Sequence, residues 1–154
     1  MLDARIDLDG ARVLDIYAGS GALGIEALSR GAAQAVFVDN RRRASAIVSA
    51  NLAALGDAGR ARVVTSPVAG FLDSGDRSGG SATQFEVVFS DPPYDLTDDA
   101  VRDDLVALRR WVAPDGLVVL ERAVRSKVEW PAGWEVVVDK KYGDTLVQVA
   151  RPED

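Results

Sequence analysis

Short apolar runs alternate with longer amphipathic stretches along most of this chain. Arg12 to Tyr17 (RVLDIY) is β-branched and apolar and ends at a glycine-rich turn, so it predicts a buried strand feeding a loop. A helix is expected from about Ala22 to Arg30, with Leu23, Ala27 and Leu28 on one face and Gly31 as its stop. Ala35 to Asp39 (AVFVD) reads as a second strand, and Asn40 is placed to cap a helix on which Ala44, Ile47, Val48, Leu52 and Leu55 recur at helical spacing before Gly56. Arg62 to Thr65 predicts a third strand, Pro67 to Leu72 a helical turn, and Phe85 to Ser90 (FEVVFS) a fourth strand. Thr97 is expected to cap a helix with acidic Asp98 and Asp99 in its first turn and Val101, Leu105, Leu108 and Val112 as its buried stripe, ended by Pro114-Asp115-Gly116. Leu117 to Glu121 is read as a fifth strand, and Trp134–Lys140 with Thr145–Ala150 as a closing antiparallel hairpin around Tyr142-Gly143-Asp144.

Strands alternating with helices imply an α/β fold with a mostly parallel sheet covered on both faces, here with an antiparallel edge. The stretch 73–83 (DSGDRSGGSAT) is Gly/Ser-rich and reads as a flexible surface loop inside one domain spanning 1–154, because the alternation resumes beyond it. Trp111, Trp130 and Trp134 lie in or beside apolar segments and are assigned to packing. In such sheets ligands bind beyond the carboxyl ends of the strands, where strand order switches. The loops after the first, second and fourth strands are therefore the place to search.

Composition narrows the chemistry available there. The chain has no Cys and no His, which excludes disulfides, thiolate nucleophiles, imidazole bases and most zinc or iron sites; no metal is expected. No long apolar run or basic-then-apolar start is present, so a soluble, cytoplasmic protein is expected, and a monomer. The formal net charge of -6 argues against a broadly basic nucleic-acid surface, although Arg41–Arg43, Arg60 with Arg62, Arg109 with Arg110, and Lys140 with Lys141 form local clusters that read equally well as solvated faces.

Three constellations carry the candidate chemistry. Asp15-Ile16-Tyr17-Ala18-Gly19-Ser20-Gly21-Ala22-Leu23-Gly24 contains G-x-G-x-x-G, which by itself fits a dinucleotide site. Asp15 separates the readings: a carboxylate ahead of the turn repels a pyrophosphate but suits the ammonium of S-adenosylmethionine, while helix-start N–H groups suit its carboxylate. A glycine-rich turn without a ligand is the bland alternative. Asp39, about 20 residues past the first glycine, can accept from ribose hydroxyls, which supports an adenosine ligand without choosing between the cofactors. Its bland role is a cap beside Asn40. Asp91-Pro92-Pro93-Tyr94 at the end of the fourth strand offers a carboxylate, carbonyls without competing N–H donors and an aromatic ring. That set suits holding an exocyclic NH2 group and stacking a flipped base, with no strong base required. Donor contacts are thus expected from Asp15, Tyr17, Gly19, Ser20, Gly21, Asp39, Asn40 and Asp91, and catalytic contacts from Asp91, Pro92, Pro93 and Tyr94. Glu26 and Ser66 to Val68 are weaker candidates, the latter where adenine would lie.

The stretch VLDIYAGSGALGIEALSRGA (Val13 to Ala32) with SDPPY (Ser90 to Tyr94) resembles the bacterial small-subunit ribosomal RNA guanine-N2 methyltransferases. The resemblance implies a Rossmann-like class I S-adenosylmethionine-dependent methyltransferase fold with a mostly parallel seven-stranded sheet and an antiparallel C-terminal hairpin. It also implies methylation of the N2 amino group of a guanine in 16S rRNA, naked or in the small subunit. Donor contacts are implied at Asp15, Gly19, Gly21, Asp39 and Asp91, and base contacts at Asp91, Pro92, Pro93 and Tyr94. One departure stands out: the family's basic N-terminal segment and arginine-rich helix are absent ahead of the first strand. A shortened form that binds donor but needs that arm for turnover is therefore one alternative, and an amino methyltransferase of DNA adenine or protein glutamine is another.

Overall fold

A computed structural model describes residues 6–74 and 84–153. Its elements are β1 (Arg12–Ile16), α1 (Ala22–Ser29), β2 (Gln34–Asp39), α2 (Arg42–Leu55), a 3-10 turn (Ala58–Arg60), β3 (Ala61–Thr65), α3 (Val68–Ser74), β4 (Phe85–Ser90), α4 (Asp98–Leu108), β5 (Val112–Ala123), β6 (Trp134–Tyr142) and β7 (Thr145–Pro152). The seven strands form one sheet in the order β3-β2-β1-β4-β5-β7-β6. β1 to β5 run parallel, and β7 enters antiparallel between β5 and β6. The closing hairpin is present as expected, with β6 on the outer edge. The predicted loop around 73–83 falls largely outside the described residues; its first two positions end α3.

Two-residue alternation along β1 sorts the core. Leu14 and Ile16 join a cluster with Val68 and Leu72 of α3 and Val101, Leu105 and Leu108 of α4. Val13 joins the opposite cluster with Ala27 and Leu28 of α1 and Val48 and Leu52 of α2. Both faces of the sheet are thus covered, and the parallel strands read as nearly continuous apolar runs for that reason. Asp15, on the same strand face as Val13, is carried under α1 by this alternation. All three tryptophans pack as expected: Trp111 and Trp134 are buried, their indole N–H groups donating to the Leu72 and Leu105 carbonyls, and half-buried Trp130 donates to Gln148.

Local rules were overridden at three places. Asn40 does not cap α2; the helix begins after Arg41, whose N–H donates to Asp39 Oδ1 at 2.9 Å, so the carboxylate one residue earlier meets the orphan donor. On the same helix Ile47 and Leu55 face solvent, and Ser45 occupies part of the buried stripe, bonded to Thr65. Pro114-Asp115-Gly116 does not end α4. That helix stops at Leu108, and β5 already begins at Val112, with a register shift that sets Phe85 opposite Val112 but Val87 opposite Leu117. A Cβ on Gly116 would lie 2.9 Å from the Phe85 carbonyl oxygen, so the bulge admits only glycine there.

Candidate functional site

The switch in strand order lies between β1 and β4, whose ends carry the glycine-rich loop and the Asp-Pro-Pro-Tyr segment. Tyr17, Gly19 and Gly21 adopt left-handed backbone with φ of 59°, 59° and 80°. Such a conformation is disfavoured for tyrosine, and here it is held by burial of the ring edge against the apolar cluster and by its hydroxyl, which donates to Asp104 Oδ2. Burial raises the carboxyl of Asp104 above the usual carboxylate range against the opposing pull of that hydrogen bond, and burial together with Asp104 raises the Tyr17 phenol. Tyr17 therefore remains protonated and bridges β1 to α4.

Asp39 ties the turn to β2. Its Oδ2 accepts from Gly19 N at 3.0 Å, and its carboxylate also takes the Arg41 guanidinium at 3.1 and 3.2 Å. Desolvation acts upward on Asp39, but Arg41 and Gly19 hold it below its ordinary value, so it stays ionised. Arg41 is largely exposed, whereas Asp39 is buried. Ser20 lies at the exposed tip, its carbonyl accepting from Asn51 Nδ2 at 3.2 Å.

Asp15 sits differently from the expectation of a direct ammonium contact. It is 2% exposed and does not line the cleft; its Oδ2 accepts from Gly24 N at 3.1 Å. A Cβ on Gly24 would fall 2.4 Å from the Phe37 ring, so glycine is what allows α1 to lie close enough for that bond. Desolvation pushes the Asp15 carboxyl up to about 8, the Gly24 hydrogen bond opposes it, and Asp91 and Asp39 push it further. It props the loop from beneath. Glu26, the weaker candidate, pairs with Arg30 on the helix surface.

Beyond the strand ends two cavities open. One, of about 530 Å³, is lined by Tyr17, Asp39, Asn40, Pro67, Val68 and Asp91. The other, of about 510 Å³, is lined by Asp91, Pro92, Pro93 and Tyr94 on one side and by Glu121 and Thr145 on the other. Asp91 and Pro93 belong to both, so the two spaces meet at the Asp-Pro-Pro-Tyr segment. Desolvation raises the Asp91 carboxyl, and the Arg122 guanidinium pulls it back. Tyr94 is 82% exposed, with a bare ring face at the mouth. Val68, read as a possible wall for adenine, does line the first cavity, whereas Ser66 does not.

Arg122 was missed by reading the sequence. Its buried guanidinium donates to the Pro93 carbonyl at 3.3 Å, the Leu96 carbonyl at 2.9 Å and Asp98 Oδ1 at 3.0 Å, pinning both ends of the segment that carries Tyr94. Leu96 N–H also donates to Pro93, so the Pro93 carbonyl is fully used in shaping the loop. The available signal was an arginine at the carboxyl end of an otherwise apolar strand, LVVLER. Arg41, Asp104 and Glu121 were likewise not singled out for the site. Among the described residues no cluster of His, Cys, Asp and Glu is arranged to hold a metal, and no helix is long and apolar enough to cross a membrane.

This arrangement can hold an adenosine-bearing ligand on one side of Asp91 and a planar amine on the other. The family model described as conserved hypothetical protein 95 matches residues 1–151. Ribosomal RNA small subunit methyltransferase D of Escherichia coli is 36% identical over 146 residues, 93% of this chain and 69% of that protein. The protein of the same name from Haemophilus influenzae is 30% identical over 84% of this chain and 66% of its own length. Among solved structures, a conserved hypothetical protein of Streptococcus pyogenes superposes with a TM-score of 0.82 at 30% identity, covering 94% of this chain and 88% of that one. A ribosomal protein L11 methylase of Lactobacillus delbrueckii shares the fold alone, with a TM-score of 0.76 at 16% identity over 98% of this chain and 73% of that one. The chain therefore has the class I methyltransferase fold and belongs to the conserved hypothetical protein 95 family, as a relative of ribosomal RNA small subunit methyltransferase D.

Proposed function

We propose that this chain is an S-adenosylmethionine-dependent methyltransferase that modifies the exocyclic N2 amino group of a guanine in 16S rRNA. The observation that carries the reading is the meeting of two cavities at Asp91 and Pro93, one suited to the donor and one to a base. The names of the matched relatives support an rRNA substrate. The lining of the first cavity fits the donor's chemistry: ionised Asp39 for the ribose hydroxyls, Pro67 and Val68 for the adenine, and Asp91 toward the cationic end. When bound, S-adenosylmethionine would supply an electrophilic methyl group to the amine nitrogen, the methyl–sulfur bond breaking with its electron pair left on the sulfur of the departing thioether.

The chain's own residues then bind and orient. Tyr94 stacks the flipped base, and Asp91 with the Pro92 carbonyl accepts from the amine hydrogens. Those hydrogen bonds favour a geometry in which the nitrogen lone pair points away from the ring plane, toward the donor cavity. As the new N–C bond forms, the amine sheds a proton; Asp91, with its raised affinity for protons, can accept it and pass it to water. Arg122 keeps the loop in place and takes no proton.

The test incubates the chain with methyl-labelled donor and small ribosomal subunits lacking the modification, followed by nucleoside analysis. N2-methylguanosine in the RNA is the expected product. Label in adenosine or in ribosomal protein, or no transfer despite donor binding by calorimetry, overturns the reading.

A further inference from the structure

Glu121 lies at the carboxyl end of β5, half-buried in the wall of the second cavity and facing the same space as Asp91 and Tyr94. Most buried or cleft carboxylates near it are engaged. Asp39 has Arg41 and Gly19, Asp98 has Arg122 and the Lys127 N–H, and Asp104 has Tyr17. The side chains of Asp91 and Glu121, by contrast, make no hydrogen bond or ion pair among the described residues. Arg122, whose charge reaches Asp91, is already committed to Pro93, Leu96 and Asp98. Desolvation, and then the charge of Asp91, push the Glu121 carboxyl above its ordinary range.

Two such acceptors along one cleft wall call for a ligand edge with adjacent N–H donors. Guanine has that edge, N1–H beside the N2 amino group, whereas adenine presents a lone pair at N1 beside its amino group. A carboxylate facing that lone pair is repelled. We propose that Glu121 is the specificity-determining residue of the acceptor cleft, accepting from guanine N1–H while Asp91 takes the neighbouring amino group. This inference rests on the guanine-N2 reading above and adds the group that selects the base.

The experiment compares an RNA carrying the unmodified target guanosine with the same RNA carrying 2-aminopurine there, which keeps the C2 amino group but has a lone pair at N1. Wild-type protein is expected to favour guanosine by about tenfold to a hundredfold in kcat/KM, the range of a base-edge hydrogen-bond pair. In Glu121→Gln the side-chain amide can donate to that lone pair, so the ratio should fall toward one, with donor affinity and melting temperature unchanged. A ratio equal to that of wild type, with N2-methylguanosine still formed, overturns the role of Glu121 and leaves the function standing. Methylation of adenine by the wild type overturns both.

Discussion

Arg122 Nη2 meets Asp98 Oδ1 at 3.0 Å, joining the end of β5 to the first turn of α4 across the loop that carries Tyr94. Asp98 is doubly held, because its other oxygen accepts from Lys127 N at 3.0 Å, and these two bonds keep its carboxyl below the usual range. The acceptor cleft is thus shaped by a strand residue that does not belong to the motif it supports.

Replacing Arg122 by Met should cost about 2–4 kcal/mol of unfolding free energy, since two carbonyls and a carboxylate lose their donor in a buried setting. Arg122→Lys should recover little, because one ammonium cannot reach three diverging acceptors. Denaturant unfolding of both variants measures this, and equal stability of the lysine variant and wild type would contradict it.

Asp91→Ala is expected to lower methyl transfer at least a hundredfold while donor affinity changes severalfold at most, since its acceptor role is exerted on the amine. Single-turnover transfer alongside calorimetric donor titration separates the two. A transfer rate like that of wild type would remove Asp91 from the chemistry.

Because Tyr94 is 82% exposed, Tyr94→Ala should leave the melting temperature in place. RNA binding should weaken by about 1–3 kcal/mol as the stacking surface disappears, and Tyr94→Phe should restore most of it. If the phenylalanine variant behaves like the alanine one, the hydroxyl and not the ring face is what matters.

Asp15 gives a pH signature. Its folded-state carboxyl is raised from the ordinary value of 3.8 to about 8, so its contribution to stability is fully present below pH 3.8 and is lost as pH rises toward 8. Asp15→Asn keeps an oxygen for Gly24 N–H but cannot ionise. The variant's melting temperature relative to wild type should therefore climb between about pH 5 and pH 8, as thermal melts across that range would show. A constant difference would mean that the burial penalty is not borne by this group.

All three lysines of the chain, Lys127, Lys140 and Lys141, are exposed on segments bordering the acceptor cleft, and the Val124 N–H donates to the Asp144 carbonyl, tying the β6–β7 turn to its wall. Reversing Lys140 and Lys141 to glutamate should weaken RNA binding and flatten its dependence on salt, by about 0.7 in log–log slope for each phosphate no longer neutralised. Unchanged slopes would place the RNA elsewhere.

Local sequence was sufficient for the alternation of strands and helices, because apolar runs and helical stripes report directly on burial of one face. It also singled out the loops after β1, β2 and β4, and the Asp91 to Tyr94 segment, as candidates, since chemistry-bearing residues at strand ends stand out against apolar runs. What each carboxylate does there was not local. Asp15 and Asp91 look alike as strand-end acids, yet side-chain alternation drives one beneath α1 onto Gly24 while the other lies open between two cavities. Asp39, not Asn40, meets the start of α2, and a bulge at Gly116 replaces the turn its neighbours suggest, because hydrogen bonding and register with adjacent strands outweigh residue preference. Arg122 and Glu121 are adjacent in sequence, and only the packing of β5 against the loop before α4 ties one to three acceptors and leaves the other side chain without a hydrogen bond among the described residues. Which polar group is satisfied is a property of the folded whole, and that is where the sequence pattern ends and tertiary structure decides.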